Sequence, residues 1–184
     1  RLHKPKLIYA GSSTKFGDGG VARNATPYAW TKASNTELVK SYGAWYELPY
    51  AITYFYNVYG PGERVGKYGT VIAIFMDLVR QGKPITVSSP GTQRRNFTYI
   101  DDIIEGLILV AEKGEGDEHG LGNEKSYSML EVADMFGGAV TMLPERPGNR
   151  TSSDLDVSKM HTLGWSAKHS LETYIEEFTK KEAL

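Results

Sequence analysis

The sequence contains no cysteine, so disulfide bonds and thiolate metal sites are excluded. Its four histidines are scattered and no His-Glu-x-x-His motif occurs, so we expect no histidine metal site. The formal net charge of -1 gives no electrostatic case for binding nucleic acid or an anionic membrane. Because no apolar run reaches the roughly 18 residues of a membrane span and no signal peptide is visible, we expect a cytoplasmic protein.

A glycine-rich nucleotide loop of the GxGxxG type is also missing. The nearest cluster, Gly17, Gly19 and Gly20, lies in a predicted loop that no helix follows directly, which does not suit phosphate binding. The chain begins at Arg1 and enters its first apolar run almost at once. Its 184 residues predict one domain, or one domain and a small lobe.

The most informative stretch runs from Lys6 to Lys32. The apolar run Leu7–Ala10 predicts a buried strand, and hydroxyl residues follow it at Ser12, Ser13 and Thr14. Chemistry in open α/β sheets takes place at the carboxyl ends of strands, so these hydroxyls stand where a site is expected.

Tyr28 and Lys32 close the same stretch. Thr26 and Pro27 predict the start of a helix, on which residues four apart share one face. A phenol is a poor base at pH 7, but a neighbouring ammonium favours its ionised form, and a hydroxyl can hold the substrate oxygen. Since the chain has 12 tyrosines and many lysines, the pair alone is weak evidence for hydride-transfer chemistry.

Elements alternate along the rest of the chain. We predict a helix from Tyr28 to Leu48, interrupted by Gly43, and then a strand over Tyr50–Tyr56. The strand–helix–strand order suggests a parallel unit. Further helices are predicted over 70–81, 101–113, 128–135, 156–163 and 170–181, and further strands over 85–87, 96–100 and 139–143. Residues 114–122 are predicted to form a surface loop.

Two details of the later helices can be tested against the structure. Asp101 is predicted to cap the helix over 101–113, whose buried face would be Ile104, Leu107, Ile108 and Ala111. Ser128 and Glu131 predict a capping box at the start of the next helix.

Several motifs in order resemble those of the extended short-chain dehydrogenase/reductase family, specifically its nucleotide-sugar epimerases and dehydratases. They are the serine strand ending at Phe16-Gly17, Pro-Tyr-x-x-Thr-Lys at 27–32, Phe-Tyr-Asn-Val-Tyr-Gly-Pro at 55–61, Arg-Asn-Phe-Thr-Tyr-Ile-Asp-Asp at 95–102, Arg-Pro-Gly-Asn at 146–149 and Leu-Gly-Trp at 163–165. The resemblance covers essentially the whole chain.

The resemblance implies NAD as cofactor, a nucleotide-sugar as substrate and a role for each matching residue. Tyr28 would be the base, Lys32 its helper and Ser12, with Ser13 beside it, the catalytic hydroxyl. The cofactor would be contacted by Tyr28, Lys32, Tyr56 and Val58. The substrate would be contacted by Asn57, Arg95, Arg146, Asn149, Val87 and Ile72, the two arginines facing the diphosphate and the two apolar residues facing the base.

Simpler interpretations of these residues remain open. Ser13 or Thr14 rather than Ser12 could be the hydroxyl that matters. Arg95 could be an ordinary surface arginine, and Asn57 could only cap a turn. The aromatic residues of 50–56 are more often core than cofactor contacts.

The sequence also departs from the family. Asn96 and Asn149 stand where aspartate is usual, and Tyr54 stands where arginine is frequent. The 4,6-dehydratases of the family place an aspartate–glutamate pair at the positions of Ser13 and Thr14, so we favour an epimerase or reductase. The family's amino-terminal half, which carries the glycine loop, has no counterpart here.

We therefore expect an α/β protein: the carboxyl-terminal part of a Rossmann-like, doubly wound parallel sheet with a small α/β substrate-binding lobe. Residues 1–62 would be the partial catalytic portion, and 63–184 mainly the nucleotide-sugar lobe, interleaved with the sheet. Three functions compete: an NAD-dependent epimerase, a nucleotide-sugar-binding module without turnover, and a subunit. The strand at Leu7 would be an open edge, so we expect a homodimer, paired through the helix from Tyr28, or a partner chain supplying the missing half.

Overall fold

The computed structural model describes residues 4–16, 18–66, 69–145 and 154–182. The strands in this part of the chain are β1 Leu7–Ala10, β2 Tyr50–Phe55, β3 Val58–Tyr59, β4 Ile85–Ser88, β5 Arg94–Asn96, β6 Thr98–Tyr99, β7 Gly116–Leu121, β8 Ser126–Ser128 and β9 Val140–Leu143. The α-helices are α1 Pro27–Tyr46, α2 Val71–Arg80, α3 Ile100–Lys113, α4 Met129–Met135, α5 Ser158–Thr162 and α6 Leu171–Glu182. Two 3-10 turns, Ser13–Lys15 and Val21–Asn24, precede α1.

A three-stranded parallel sheet in the order β1-β2-β7 organises the first part of the molecule. Leu7 lies opposite Tyr50 in β2, and Phe55 lies opposite Leu121 in β7. Within the described ranges β1 pairs only with β2, so it forms one edge of this sheet. The α/β class with parallel strands is as the sequence predicts.

Side chains of β2 alternate between two helices because successive residues of a strand point to opposite faces. Ile52 and Tyr54 pack with Val39 of α1 on one face. Ala51 packs with Ile103 and other residues of α3 on the other face. The sheet is therefore covered by a helix on each side.

A second core surrounds the parallel pair β4–β9. Helices α2, α4 and α6 contribute to it, and its buried side chains include Phe75, Val87, Val132 and Phe178. The parallel pair β3–β6 and the antiparallel pair β5–β8 also contribute to this core, through Tyr59 of β3 and Tyr127 of β8.

The predicted helix ends agree with the local chemistry in two places. Thr26 caps α1, its Oγ1 accepting from the Ala29 N–H at 3.1 Å, with Pro27 at the first helical position. Ser128 and Glu131 form the predicted capping box of α4. Gly43, by contrast, does not interrupt α1.

The predicted loop over 114–122 is wrong, because this segment contains strand β7. Two of its glycines allow close contact: a Cβ on Gly120 would lie 2.0 Å from the Asp156 carbonyl oxygen, and one on Gly122 would lie 2.7 Å from Leu155. Gly116 instead has a left-handed φ of 73°. A high glycine content therefore does not identify a loop in this segment.

The predictions for α3 are also wrong in part. The residue at its N-cap is Tyr99, not Asp101. Ile104 and Ile108 are 47% and 56% exposed, whereas Ile103 and Val110 are buried. The buried face is centred one position earlier, on residues that include Asp102 and Gly106. The single strand predicted over 96–100 is divided between β5 and β6.

None of the helices within the described ranges is long and apolar enough to cross a bilayer.

Candidate functional site

Hydroxyl groups cluster directly after β1. The Gly11 N–H donates to the Thr53 carbonyl at 2.8 Å, which extends the strand pairing by one residue. A Cβ on Gly11 would lie 2.6 Å from the Tyr54 ring, so this position requires glycine. Ser12 then caps a 3-10 turn, and its Oγ lies 2.9 Å from the Thr14 Oγ1. The turn places the Ser12 hydroxyl at the carboxyl end of β1.

Helix α1 brings Tyr28 and Lys32 to the same end of β1. The Lys32 Nζ donates to the Ala10 carbonyl at 3.0 Å and lies 5.3 Å from the centre of the Tyr9 ring. Tyr28 is one helical turn earlier and its side chain is 60% exposed, so its hydroxyl is accessible. The structure thus brings together the end of β1, the Lys32 ammonium and the helix face that carries Tyr28. Ser13, in contrast, is buried.

A charged network that the sequence analysis missed lies beside the hydroxyl turn. The Lys15 Nζ donates to Asp117 Oδ2 at 2.8 Å and to the Tyr54 hydroxyl at 3.0 Å. The Tyr54 hydroxyl donates to Asp117 Oδ1 at 2.6 Å, and Lys40 lies 3.7 Å from the same carboxylate. This network connects the turn that carries Ser12 to strand β7.

The electrostatics of the network follow from burial and from these contacts. Burial tends to raise the pKa of Asp117, but hydrogen bonds from Lys15 and Tyr54 outweigh it and hold that pKa below its usual value. Burial, with the nearby Asp117 carboxylate, raises the pKa of Tyr54, which stays neutral and donates its proton. Asp117 was missed because residues 114–122 were predicted to be a loop.

Five of the predicted ligand-contact residues line one cavity of about 540 Å³. They are Asn57, Val58, Ile72, Val87 and Arg95. The cavity lies between β4, α2 and the segment entering β5. Its wall also includes Phe97, Met129 and Gln93, the last of which the sequence analysis did not single out. Residues far apart in the sequence therefore meet at one concave surface, the usual form of a small-molecule site.

Asn57 is held in a left-handed conformation with φ of 36°. Its side-chain Nδ2 donates to the Asn96 carbonyl at 2.7 Å, and its carbonyl accepts from the Thr98 N–H at 3.3 Å. Asn57 thus fixes the turn at the cavity wall, and its role toward a ligand stays a prediction. Arg95 enters the cavity wall from β5, and its Nη1 donates to the Arg94 carbonyl at 2.7 Å.

The contacts of Asn96 explain why an amide suits this position, where aspartate is usual in the family that the motifs resemble. Its Nδ2 donates to the carbonyls of Asn123 and Glu124 at 2.8 and 3.2 Å. A carboxylate has no proton to donate to these oxygens, so the amide suits this chain's own packing.

Tyr56 lies in the core beside Ile52 and is 1% exposed. Its hydroxyl donates to the Asp154 carbonyl at 3.4 Å. A cofactor contact from this residue would have to involve its backbone, and the assignment stays a prediction. Arg146 and Asn149, also predicted to bind substrate, lie outside the described residues.

Parallel strands with helices on both faces, and polar groups at the carboxyl end of β1, define a Rossmann-like α/β protein. A model of the NAD-dependent epimerase/dehydratase family matches residues 1–122. The chain belongs to this family.

Curated relatives of this chain include nucleotide-sugar dehydratases. It is 30% identical to mouse dTDP-D-glucose 4,6-dehydratase over an alignment of 176 residues that covers 88% of this chain and 49% of that protein. It is 32% identical over 155 residues to a trifunctional UDP-glucose 4,6-dehydratase of Arabidopsis thaliana, covering 79% of this chain and 23% of that protein. The chain spans about half the length of the dTDP-D-glucose 4,6-dehydratases of mouse and cattle.

Solved structures of similar fold include epimerases. UDP-glucuronic acid 4-epimerase from Bacillus cereus, in complex with UDP-glucuronic acid and NAD, matches with a TM-score of 0.84 and 26% identity over 96% of this chain and 62% of that one. UDP-glucose 4-epimerase from Thermotoga maritima matches with a TM-score of 0.85 and 24% identity over 97% and 64% of the two chains. Since both reaction types occur among these proteins, the comparisons define the family's epimerase/dehydratase chemistry and no finer class.

Proposed function

We propose that this chain carries the catalytic residues and the nucleotide-sugar site of an NAD-dependent nucleotide-sugar epimerase. The observation that carries the proposal is the arrangement at the carboxyl end of β1. The exposed Tyr28 lies one helical turn before Lys32, and the Lys32 ammonium donates a hydrogen bond to the Ala10 carbonyl at the end of β1. Ser12 follows Ala10 by two residues and carries the hydroxyl.

The residues present suit the nicotinamide end of the cofactor. Tyr28 offers an exposed phenol and Lys32 an ammonium at the strand end, where both would contact the nicotinamide nucleoside. The described ranges contain no glycine-rich turn joining a strand to a helix N-terminus, so they offer no cradle for the cofactor's diphosphate. We propose that a second copy or another polypeptide segment provides that part of the site.

NAD, when bound, would supply reversible hydride transfer at a sugar carbon. Tyr28 Oη would take the proton of the hydroxyl on that carbon, leaving a ketone, while Ser12 Oγ donates a hydrogen bond to the ketone oxygen. Lys32 would stabilise the phenolate that takes the proton. Tyr28 Oη would return the proton to the same oxygen when the alcohol is re-formed with the opposite configuration, so that the substrate undergoes no net oxidation.

The cavity would hold the nucleotide part of the substrate. Arg95 can present its guanidinium fork to diphosphate oxygens, and Ile72 and Val87 supply apolar walls for the base. Asn57 stands at the rim between this cavity and the end of β2.

A 4,6-dehydratase is the alternative, favoured by the dehydratases among the curated relatives. Eliminating water requires an acid and a base beside the sugar. Ser13 and Thr14 offer only hydroxyls, of which the first is buried and the second is engaged with Ser12. This difference supports the epimerase.

We also propose that two copies pair through α1. This helix exposes Trp30, Leu38, Tyr42, Trp45 and Tyr46, although it lies against the sheet through a different face. Because water-exposed aromatic groups of this extent are typical of interaction surfaces, a second copy of the same helix is a suitable partner.

The first experiment is a calorimetric titration of the chain with NAD, followed by incubation with UDP-glucose. We expect saturable binding and conversion to the 4-epimer. The Tyr28→Phe variant should lose about 10²-fold or more of that activity and still bind UDP-glucose. Tyr50→Phe, at the opposite end of β2, is the matched control and should retain activity.

Two other results would contradict the proposal that this chain is an epimerase. A folded chain that binds UDP-glucose but not NAD would be a binding module rather than an enzyme on its own. Formation of a 4-keto-6-deoxy sugar would identify the dehydratase instead.

A further inference from the structure

One carboxylate that has no part in the proposed proton transfer contacts the segment that carries Ser12. Asp117 lies near the start of β7, its side chain is 14% exposed, and it accepts a hydrogen bond from Lys15 Nζ at 2.8 Å. Lys15 is the last residue of the 3-10 turn that Ser12 caps, and its N–H donates to the Ser12 carbonyl at 3.0 Å. A single residue therefore connects Asp117 to Ser12.

The Lys15 side chain is enclosed rather than free in solvent. It is 19% exposed, and its Nζ also donates to the Tyr54 hydroxyl at 3.0 Å. The same Nζ lies 5.2 Å from the centre of the Phe16 ring and 5.2 Å from the centre of the Tyr54 ring. An exposed ion pair fixes little because its side chains stay mobile, whereas this lysine is held by a carboxylate, a phenol and two ring faces. Lys15 thus attaches the turn to β2 and β7.

The same network reaches the helix that carries Lys32. The Tyr54 hydroxyl donates to Asp117 Oδ1 at 2.6 Å, and the phenol group also interacts with the Thr36 side chain of α1. Thr36 is 1% exposed, and its hydroxyl donates to the Lys32 carbonyl at 3.0 Å. The hydroxyl turn and the helical turn at Lys32 are therefore both fixed to one carboxylate on β7.

In the proposed reaction, Ser12 Oγ and Tyr28 Oη act on the same substrate oxygen, so their relative placement has to be exact to well within 1 Å: a misplacement of about 1 Å can cost about 10²-fold in rate. We propose that Asp117 is a positioning residue, whose carboxylate acts through Lys15 to hold the Ser12 hydroxyl in place relative to α1. Asp117 itself touches neither the substrate nor the cofactor. This inference rests on the proposed function, since it specifies how the hydroxyl of that site is placed.

A double-mutant cycle separates positioning from a general effect on folding. Asp117→Asn should lower kcat for UDP-glucose about tenfold, measured where circular dichroism shows that the variant is folded. KM should stay unchanged, since none of the residues that line the cavity belongs to the network. In the Ser12→Ala background the same change should lower kcat by no more than about twofold, because the hydroxyl that Asp117 positions is gone.

Two further variants serve as a second test and a control. Lys15→Met keeps the length of the side chain and removes the ammonium, so it should reproduce the loss in kcat and carries the same cycle if Asp117→Asn does not fold. Glu118→Gln removes the carboxylate of the exposed neighbour of Asp117 and should leave kcat unchanged.

NMR spectra of the chain without cofactor give a measurement that does not depend on turnover. Asp117→Asn should shift the amide resonances of residues 12–16 and of Lys32, because the contacts that fix both segments are altered. Glu118→Gln should leave these resonances in place.

The outcomes separate this inference from the proposed function. If Asp117→Asn lowers kcat by the same factor with and without the Ser12 hydroxyl, or if the resonances of residues 12–16 do not move, the positioning role is wrong and the proposed epimerase stands. If the folded, unaltered chain is inactive, the proposed function fails, and the NMR comparison alone decides whether Asp117 fixes the turn.

Discussion

At the scale of single residues, Asp117 shows how a charge is held inside the protein beside the candidate site. The carboxylate receives hydrogen bonds from Lys15, from Tyr54 and from the Glu118 N–H. A buried carboxylate with these donors is favourable only while it is ionised. The network therefore links the conformation of the hydroxyl turn to the charge of one residue on β7.

This arrangement predicts a pH-dependent contribution to stability. The pKa of Asp117 lies below 3.8 in the folded protein, so its contribution is present above that pH and disappears as Asp117 is protonated below it. Asp117→Asn should lower the free energy of unfolding by about 1–3 kcal/mol at pH 6. The difference in the free energy of unfolding between Asp117→Asn and the unaltered chain should become smaller at lower pH.

Urea unfolding followed by circular dichroism at several pH values measures this difference. Glu115→Gln, which removes an exposed carboxylate near β7, should show little pH dependence relative to the unaltered chain. A difference for Asp117→Asn that stays constant as the pH drops below 3.8 would contradict the assignment.

At the scale of elements, α1 runs unbroken through Gly43. The sequence alone predicts an interruption there, because glycine is unfavourable by about 1 kcal/mol in a helix. In the structure a Cβ at this position would lie 2.4 Å from the Tyr50 ring at the start of β2. The glycine allows the helix end and the strand start to pack closely.

Gly43→Ala should therefore destabilise the chain, although alanine is the better helix former. In the background of Tyr50→Ala the same change should instead stabilise it by about 1 kcal/mol, since the ring is gone. Thermal unfolding of the two single variants and the double variant measures the coupling. If Gly43→Ala changes the stability equally in both backgrounds, the close approach of the Tyr50 ring is not the reason that glycine occupies position 43.

At the scale of the whole molecule, the exposed aromatic side of α1 predicts self-association. We expect the chain to be a dimer by size-exclusion chromatography with light scattering. Trp45→Lys should shift it toward monomer, because Trp45 is 68% exposed and contacts Tyr42 and Tyr46 within the cluster.

Glu112→Lys, an exposed charge change on α3, serves as the control and should leave the dimer intact. An unaltered chain that remains monomeric at every concentration tested would remove α1 as a self-association surface.

The sequence determined the features that depend on local chemistry and order. The parallel α/β class follows from strand–helix–strand alternation, and the caps at Thr26 and Ser128 follow from short-range hydrogen bonds. The motifs around Tyr28, Lys32 and Arg95 identified the family because they keep their order along the chain. The catalytic and ligand roles of these residues stay predictions.

Only the tertiary structure decided what depends on distant contacts. Strand β7 could not be predicted from its glycine-rich sequence. Gly120 is required by the close approach of the Asp156 backbone, a contact between segments distant in the chain. Asp117 lies on the same strand, so its role could not be predicted either. The buried face of α3 was set by the sheet and by Trp165 rather than by the helix's own apolar pattern. Gln93 has no local signal, because its place in the cavity wall depends on its contact with Ser88 of β4 and on segments that are distant in the sequence.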